Sequence, residues 1–146
     1  MGASMTGIIE WTHDAQCANR PDTGLTLGDP RRQDDFVHGV LFQTDKEYDF
    51  FAAVAGVRNR FDKPPLIPPR GVPPNTSVPT GHYFDRNGDE GIAGWLHLSE
   101  IDLCVEHMSD VPFYTGFEID MALQFMRLLV ARLTDVHVRL VFNIEG

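Results

Sequence analysis

Cysteine is nearly missing from the chain: there are two in 146 residues, Cys17 and Cys104, and they form no C-x-x-C pair. Two thiols cannot build a disulfide framework, and the expectation is that both are reduced, as in a cytosolic protein. No apolar run approaches the ~18 residues that cross a bilayer. The opening Met1-Gly-Ala-Ser-Met5 has no charged-then-apolar profile of a signal peptide. Positive charge is scarce as well: 12 Lys and Arg stand against 21 Asp and Glu, a formal net charge of −9. Duplex binders draw affinity from counterions released by Lys and Arg, so nucleic-acid polymers and anionic membranes are disfavoured partners. A local basic cluster can still meet a small anion against that net charge. There is no P-loop, no G-x-G-x-x-G and no G-x-S-x-G. The six histidines (His13, His38, His82, His97, His107 and His137) form no H-x-H or H-E-x-x-H pair. No catalytic residue, cofactor or metal site is therefore assigned.

What is present reads as one ordinary globular domain. Hydrophobic residues make up 42% and charged residues 23%, close to average usage at a length typical of one domain. Residues 5–146 are assigned to it, with Met1–Ser4 read as a remnant of cloning. Alternation predicts strands near 7–13 (Ile9 and Trp11 alternating with Glu10 and Thr12), 36–44 (Phe36, Val40 and Phe42 on one face) and 136–144. In the last, Val136, Val138, Leu140, Phe142 and Ile144 face inward. Helical spacing predicts 45–55, with Thr44 and Glu47 as a capping box and Gly56 as a left-handed stop. Further helices are predicted over 100–108, capped by Ser99, and over 118–133, where Phe125 and Leu128 widen the apolar stripe towards a subunit contact. Trp95-Leu-His-Leu98 is a short apolar stretch. The fold class is α+β: a small, mainly antiparallel sheet packed by helices.

Residues 57–84 differ in kind. Seven of the ten prolines lie between Pro64 and Pro79, which rules out helix or inner strand and stiffens the segment into a preformed wall. The same segment holds Arg58, Arg60, Lys63 and Arg70 against Asp62 alone, a charge of +3 inside an acidic chain. Arginine forks match phosphate oxygens in pairs. The candidate ligand set is Arg58, Arg60 and Arg70 for phosphates, Asn59 and Asn75 for polar edges, and His82, Tyr83 and Trp95 as a stacking surface. A plainer reading has Arg58 and Arg60 answering the negative end of the preceding helix while the loop covers the core. Asp85-Arg-Asn-Gly-Asp-Glu-Gly-Ile92 places oxygens as an EF-hand loop does, but Glu90 and Leu96 stand where that loop needs Gly and a bidentate Glu. It reads as an acidic turn.

Four segments occur in order: Tyr48-Asp-Phe-Phe-Ala-Ala-Val-Ala-Gly-Val-Arg-Asn59, Pro68-Pro-Arg-Gly-Val-Pro73, Gly94-Trp-Leu-His-Leu-Ser-Glu100 and Asp135-Val-His-Val-Arg-Leu-Val-Phe142. Together, over about residues 36–146, they resemble a widespread group of small bacteriophage and prophage proteins. Those often carry a His/Ser-rich stretch before the Trp-Leu pair, where this chain has Asp89-Glu-Gly-Ile-Ala-Gly94. The resemblance implies an accessory protein acting in the host bacterial cytoplasm during infection. It points to a homo-oligomeric sponge that captures a phosphorylated nucleotide signal, such as a cyclic ADP-ribose or cyclic nucleotide, without turning it over. The alternatives are a phosphodiesterase that uses histidines as acid and base, and an acidic inhibitor that docks on a basic host protein.

Overall fold

The computed structural model of the chain describes residues 2–13, 37–73, 76, 80, 83–84 and 91–146, with the backbone alone at 37–39. Four strands, β1 (Ser4–Thr12), β2 (Val37–Asp45), β3 (Ile92–His97) and β4 (His137–Glu145), pair antiparallel in the order β2-β1-β4-β3. Among the described residues three full helices, α1 (Tyr48–Ala55), α2 (Leu98–Met108) and α3 (Phe117–Arg132), complete an α+β domain, as the hydrophobic periodicity predicts. The central ladder, β1 on β4, runs unbroken from Ser4 opposite Glu145 to Thr12 opposite His137. The β1–β2 ladder shifts register between Ile8 and Glu10.

The alternating residues named in the first and last strands form one face, joined by Phe42 of β2; Val40 is 44% exposed and Phe36 lies outside the described residues. Ile9, Val138, Leu140, Phe142 and Ile144 meet Phe50, Phe51, Ile101, Met108, Ile119 and Met126 of the helices in one core cluster, with Trp11 and Val136 packed at its margin. Helix α1 is apolar nearly all round and buried from Asp49 to Ala55, as a helix enclosed by other elements must be. The rings of Phe42 and Phe142 lie where Gly7 and Gly94 have no side chain: a Cβ on Gly94 would stand 2.6 Å from Phe142 Cζ.

The second sheet face is covered too, so the alternation in β1 and β4 is not one of inside against outside. Glu10, Thr12, Arg139, Val141 and Asn143 are all buried. Val72, Tyr83 and Phe84 pack against Ile8, Val141 and Trp95 there, and the Gly71 N–H reaches the Ala93 carbonyl of β3 (3.0 Å).

Several boundaries differ from expectation for identifiable reasons. Thr44 and Asp45 stay in β2, paired with Met5 and Ser4, so α1 starts at Tyr48 and the Thr44–Glu47 box does not form. Glu47 instead accepts the Gly116 N–H at 2.9 Å. Gly56 closes α1 in the left-handed conformation at φ 71°, as predicted. The stretch around Trp95 is an edge strand running straight into α2, and His97, not Ser99, caps that helix in a reciprocal box with Glu100. Ala3 is fully buried and Ser4 opens β1.

Candidate functional site

The turn after α1 is built by its own side chains. Arg58 adopts φ 53°. Asn59 Oδ1 accepts the Phe61 N–H (2.9 Å) while its Nδ2 donates to the Lys63 carbonyl (2.5 Å), an Asx turn that consumes the amide locally. Arg58 lies over the Tyr48 ring at 6.0 Å. Arg60 lies over Phe61 at 4.4 Å and grips Asp49 with Nε and Nη2, both at 2.9 Å, while Nη2 also donates to the Pro112 carbonyl (2.6 Å). The Arg60 hydrogen bonds hold the Asp49 carboxyl below the usual carboxylate range against the desolvation that raises it. Asp49 further accepts the Tyr114 N–H (2.9 Å), tying α1 to the segment before α3.

Between these parts opens a cleft of about 640 Å³, walled by Lys46, Tyr48, Arg60, Tyr114, Thr115 and Gly116, with Glu47 and Asp49 beneath. Desolvation pushes the Glu47 carboxyl up, outweighing the Gly116 N–H that lowers it. Among the described residues Lys46 makes no side-chain hydrogen bond or ion pair. The Arg60 Nη1 group likewise carries none. Tyr114 is 70% exposed at the rim.

Arg70 belongs to a different place. It donates to both Glu100 oxygens (Nη1 to Oε1 at 2.9 Å, Nη2 to Oε2) and stacks 4.2 Å over Trp95. Burial raises the Glu100 carboxyl, but Arg70 and the His97 N–H together bring it below the usual range. Arg139 stands 5.8 Å from the same Trp95 ring and bonds Glu10 at 2.9 and 3.1 Å, both residues at 0% exposure. The Tyr83 ring meets Phe84 edge-on at 5.3 Å. The predicted ligand residues thus divide between the α1 turn and the β3 face, with Arg60 and Arg70 each gripped by a carboxylate. Asn75 and His82 lie outside the described residues, as do residues 85–90 of the acidic turn.

A second cavity, about 320 Å³, is lined by His97, Ser99, Asp102 and His137 among apolar walls. No motif announces it, because strand pairing creates it: His97 sits opposite Arg139, two residues along β4 from His137. The His97 ring is pinned by its capping bond from the Glu100 N–H and by edge contact with Trp95 at 5.4 Å. Asp102 is held by Arg127 at 2.8 and 3.1 Å. Of the predicted strand histidines, His13 bonds the Thr134 carbonyl (3.0 Å). Among the described residues no three His, Cys, Asp or Glu side chains are placed to hold a metal ion, and no helix is long and apolar enough to cross a membrane. Cys104 is a buried free thiol; Cys17 lies outside the described residues.

Comparison with protein-family models, with curated proteins and with solved structures finds no match for this chain.

Proposed function

We propose that the chain is a phage-encoded, non-enzymatic binding protein that sequesters a phosphorylated nucleotide signal of the cyclic ADP-ribose or cyclic nucleotide kind in the host cytoplasm. Blocking a host defence is the consequence of that capture, and self-association of the chain belongs to the same proposal. The observation that carries the reading is the cleft between α1 and the 112–116 segment. Its volume of about 640 Å³ suits a nucleotide. Lys46 and the Arg60 Nη1 group offer unpaired donors for phosphate oxygens, and Asp49 holds the Arg60 fork still before a ligand arrives. Tyr114 presents an open ring for a base.

The test is thermal shift with linear and cyclic ADP-ribose, cyclic mono- and dinucleotides and NAD, followed by chromatography of heat-released ligand. A saturating ligand is expected to raise Tm by several degrees, since ~1 kcal/mol of linkage moves Tm by roughly 3–4 °C at this size, and to return intact. Lys46→Glu is expected to abolish the shift while leaving the unliganded Tm unchanged. Arg70→Glu is the poorer probe, because it sets two carboxylates face to face at Glu100. Silence across the panel overturns the proposal. Recovery of altered ligand replaces it with a second reading, a phosphodiesterase, for which His97 and His137, which line one cavity, are the acid and base to mutate.

A further inference from the structure

Helix α3 carries two apolar stripes. Ile119, Ala122 and Met126 face the core and are buried. Phe117, Met121 and Leu128 face away, at 73%, 48% and 51% exposure. Positions 117, 121, 124 and 128 follow the i, i+4, i+7, i+11 spacing of one helix line, with Gln124 at its middle. Beside that line an apolar cavity of about 300 Å³ opens between α3 and the edge strand β2, walled by Ile9, Val40, Phe42, Met121 and Phe125. An apolar face of this kind marks an interaction surface.

We propose that this face joins two copies of the chain through an antiparallel α3–α3 contact whose two-fold axis passes beside Gln124. Charge selects the occupant. The first turn of α3 carries Glu118 and Asp120, and Arg127 and Arg132 stand in its second half. At 100° per residue, Glu118 and Arg132 fall on one flank of the exposed line and Asp120 and Arg127 on the other. A two-fold axis perpendicular to the helices exchanges their ends and keeps their flanks. Glu118 of one copy therefore meets Arg132 of the second, while Arg127 stays on Asp102 of its own copy. Met121 meets Leu128 of the second copy, whose isobutyl group enters the cavity beside β2. The helix dipoles oppose, which favours this direction; a parallel pair would set acid on acid. The result is an apolar core with a charged rim, repeated on both copies as an isologous contact requires.

Sedimentation equilibrium of the full chain tests this directly. A dimer is expected, and Leu128→Glu is expected to yield a monomer with an unchanged far-ultraviolet spectrum. Glu118→Arg and Arg132→Glu, made singly, set like charges together twice per dimer and are expected to weaken it by about tenfold. The double variant is expected to recover the parental affinity to within about threefold. A monomer at ~100 μM overturns the proposal, since a specific interface binds more tightly than that. So does a dimer indifferent to Leu128→Glu, and a dimer whose charge reversals fail to compensate overturns the antiparallel register.

Discussion

Arg139 shows how far a residue's role depends on what lies over the sheet. It occupies the middle of β4, where alternation points it away from the helices, yet both it and Glu10 are at 0% exposure. Two bonds to one carboxylate oxygen, at 2.9 and 3.1 Å, hold it there. A guanidinium in that position is tolerable only when neutralised. Arg139→Met alone takes the guanidinium from the buried Glu10 and is expected to cost about 3 kcal/mol in urea unfolding, whereas Arg139→Met with Glu10→Leu is expected to restore most of it. If the double variant is no more stable than the single, the pair does not act as a unit. The sequence displays both charges but not their partnership, because their positions 129 residues apart are joined only by strand pairing. Arg60 and Arg70 were legible as anion-binding forks by residue type, and the structure shows each gripping a carboxylate, Asp49 and Glu100. A side chain's chemistry is written locally, but the group it spends that chemistry on is chosen by the fold.

At the level of elements, close approach sets the tightest limits. Gly94 lies in β3 directly opposite Phe142, whose ring fills the place of its missing side chain. Gly94→Ala is expected to lower stability by about 1–3 kcal/mol through displacement of that ring. Phe142→Leu in the same background is expected to recover part of the loss; an alanine that costs nothing would mean the ring moves freely. The helices and the longer strands were readable because their periodicity is long: the Ile119, Ala122, Met126 stripe and the Val138 to Ile144 alternation each repeat several times. Strand β3 has six residues, one of them a glycine, and its pattern is too short to separate strand from loop. The start of α1 was misplaced because Thr44 has the chemistry of a cap but is retained by its ladder with Met5.

For the whole molecule, acid is the revealing variable. Asp49 and Glu100 both titrate below their ordinary values of 3.8 and 4.5, chiefly through Arg60 and Arg70 working against burial. Their contribution to stability is present above the ordinary value and is lost as pH falls through the lowered folded one. Glu47 has the opposite sign: its raised value means that protonation from neutral pH downwards relieves a buried charge. Urea midpoints are therefore expected to hold between about pH 7 and 5 and to fall steeply below about pH 4. Asp49→Asn is expected to be less stable at neutral pH and to show a flatter acid limb; an unaltered limb would assign the acid sensitivity elsewhere. Fold class was legible in composition and pattern, but the cleft was not, since Lys46, Arg60 and Tyr114 reach it from three separate segments. The central ladder joins the first strand to the last, Ser4 to Glu145. On the ribosome, β1 emerges early and must wait for β4 before its inner edge is closed. Pairing between positions so distant in sequence is of the kind that slows folding. A nascent chain stopped short of residue 137 exposes two bare strand edges at once, the state most open to misassembly.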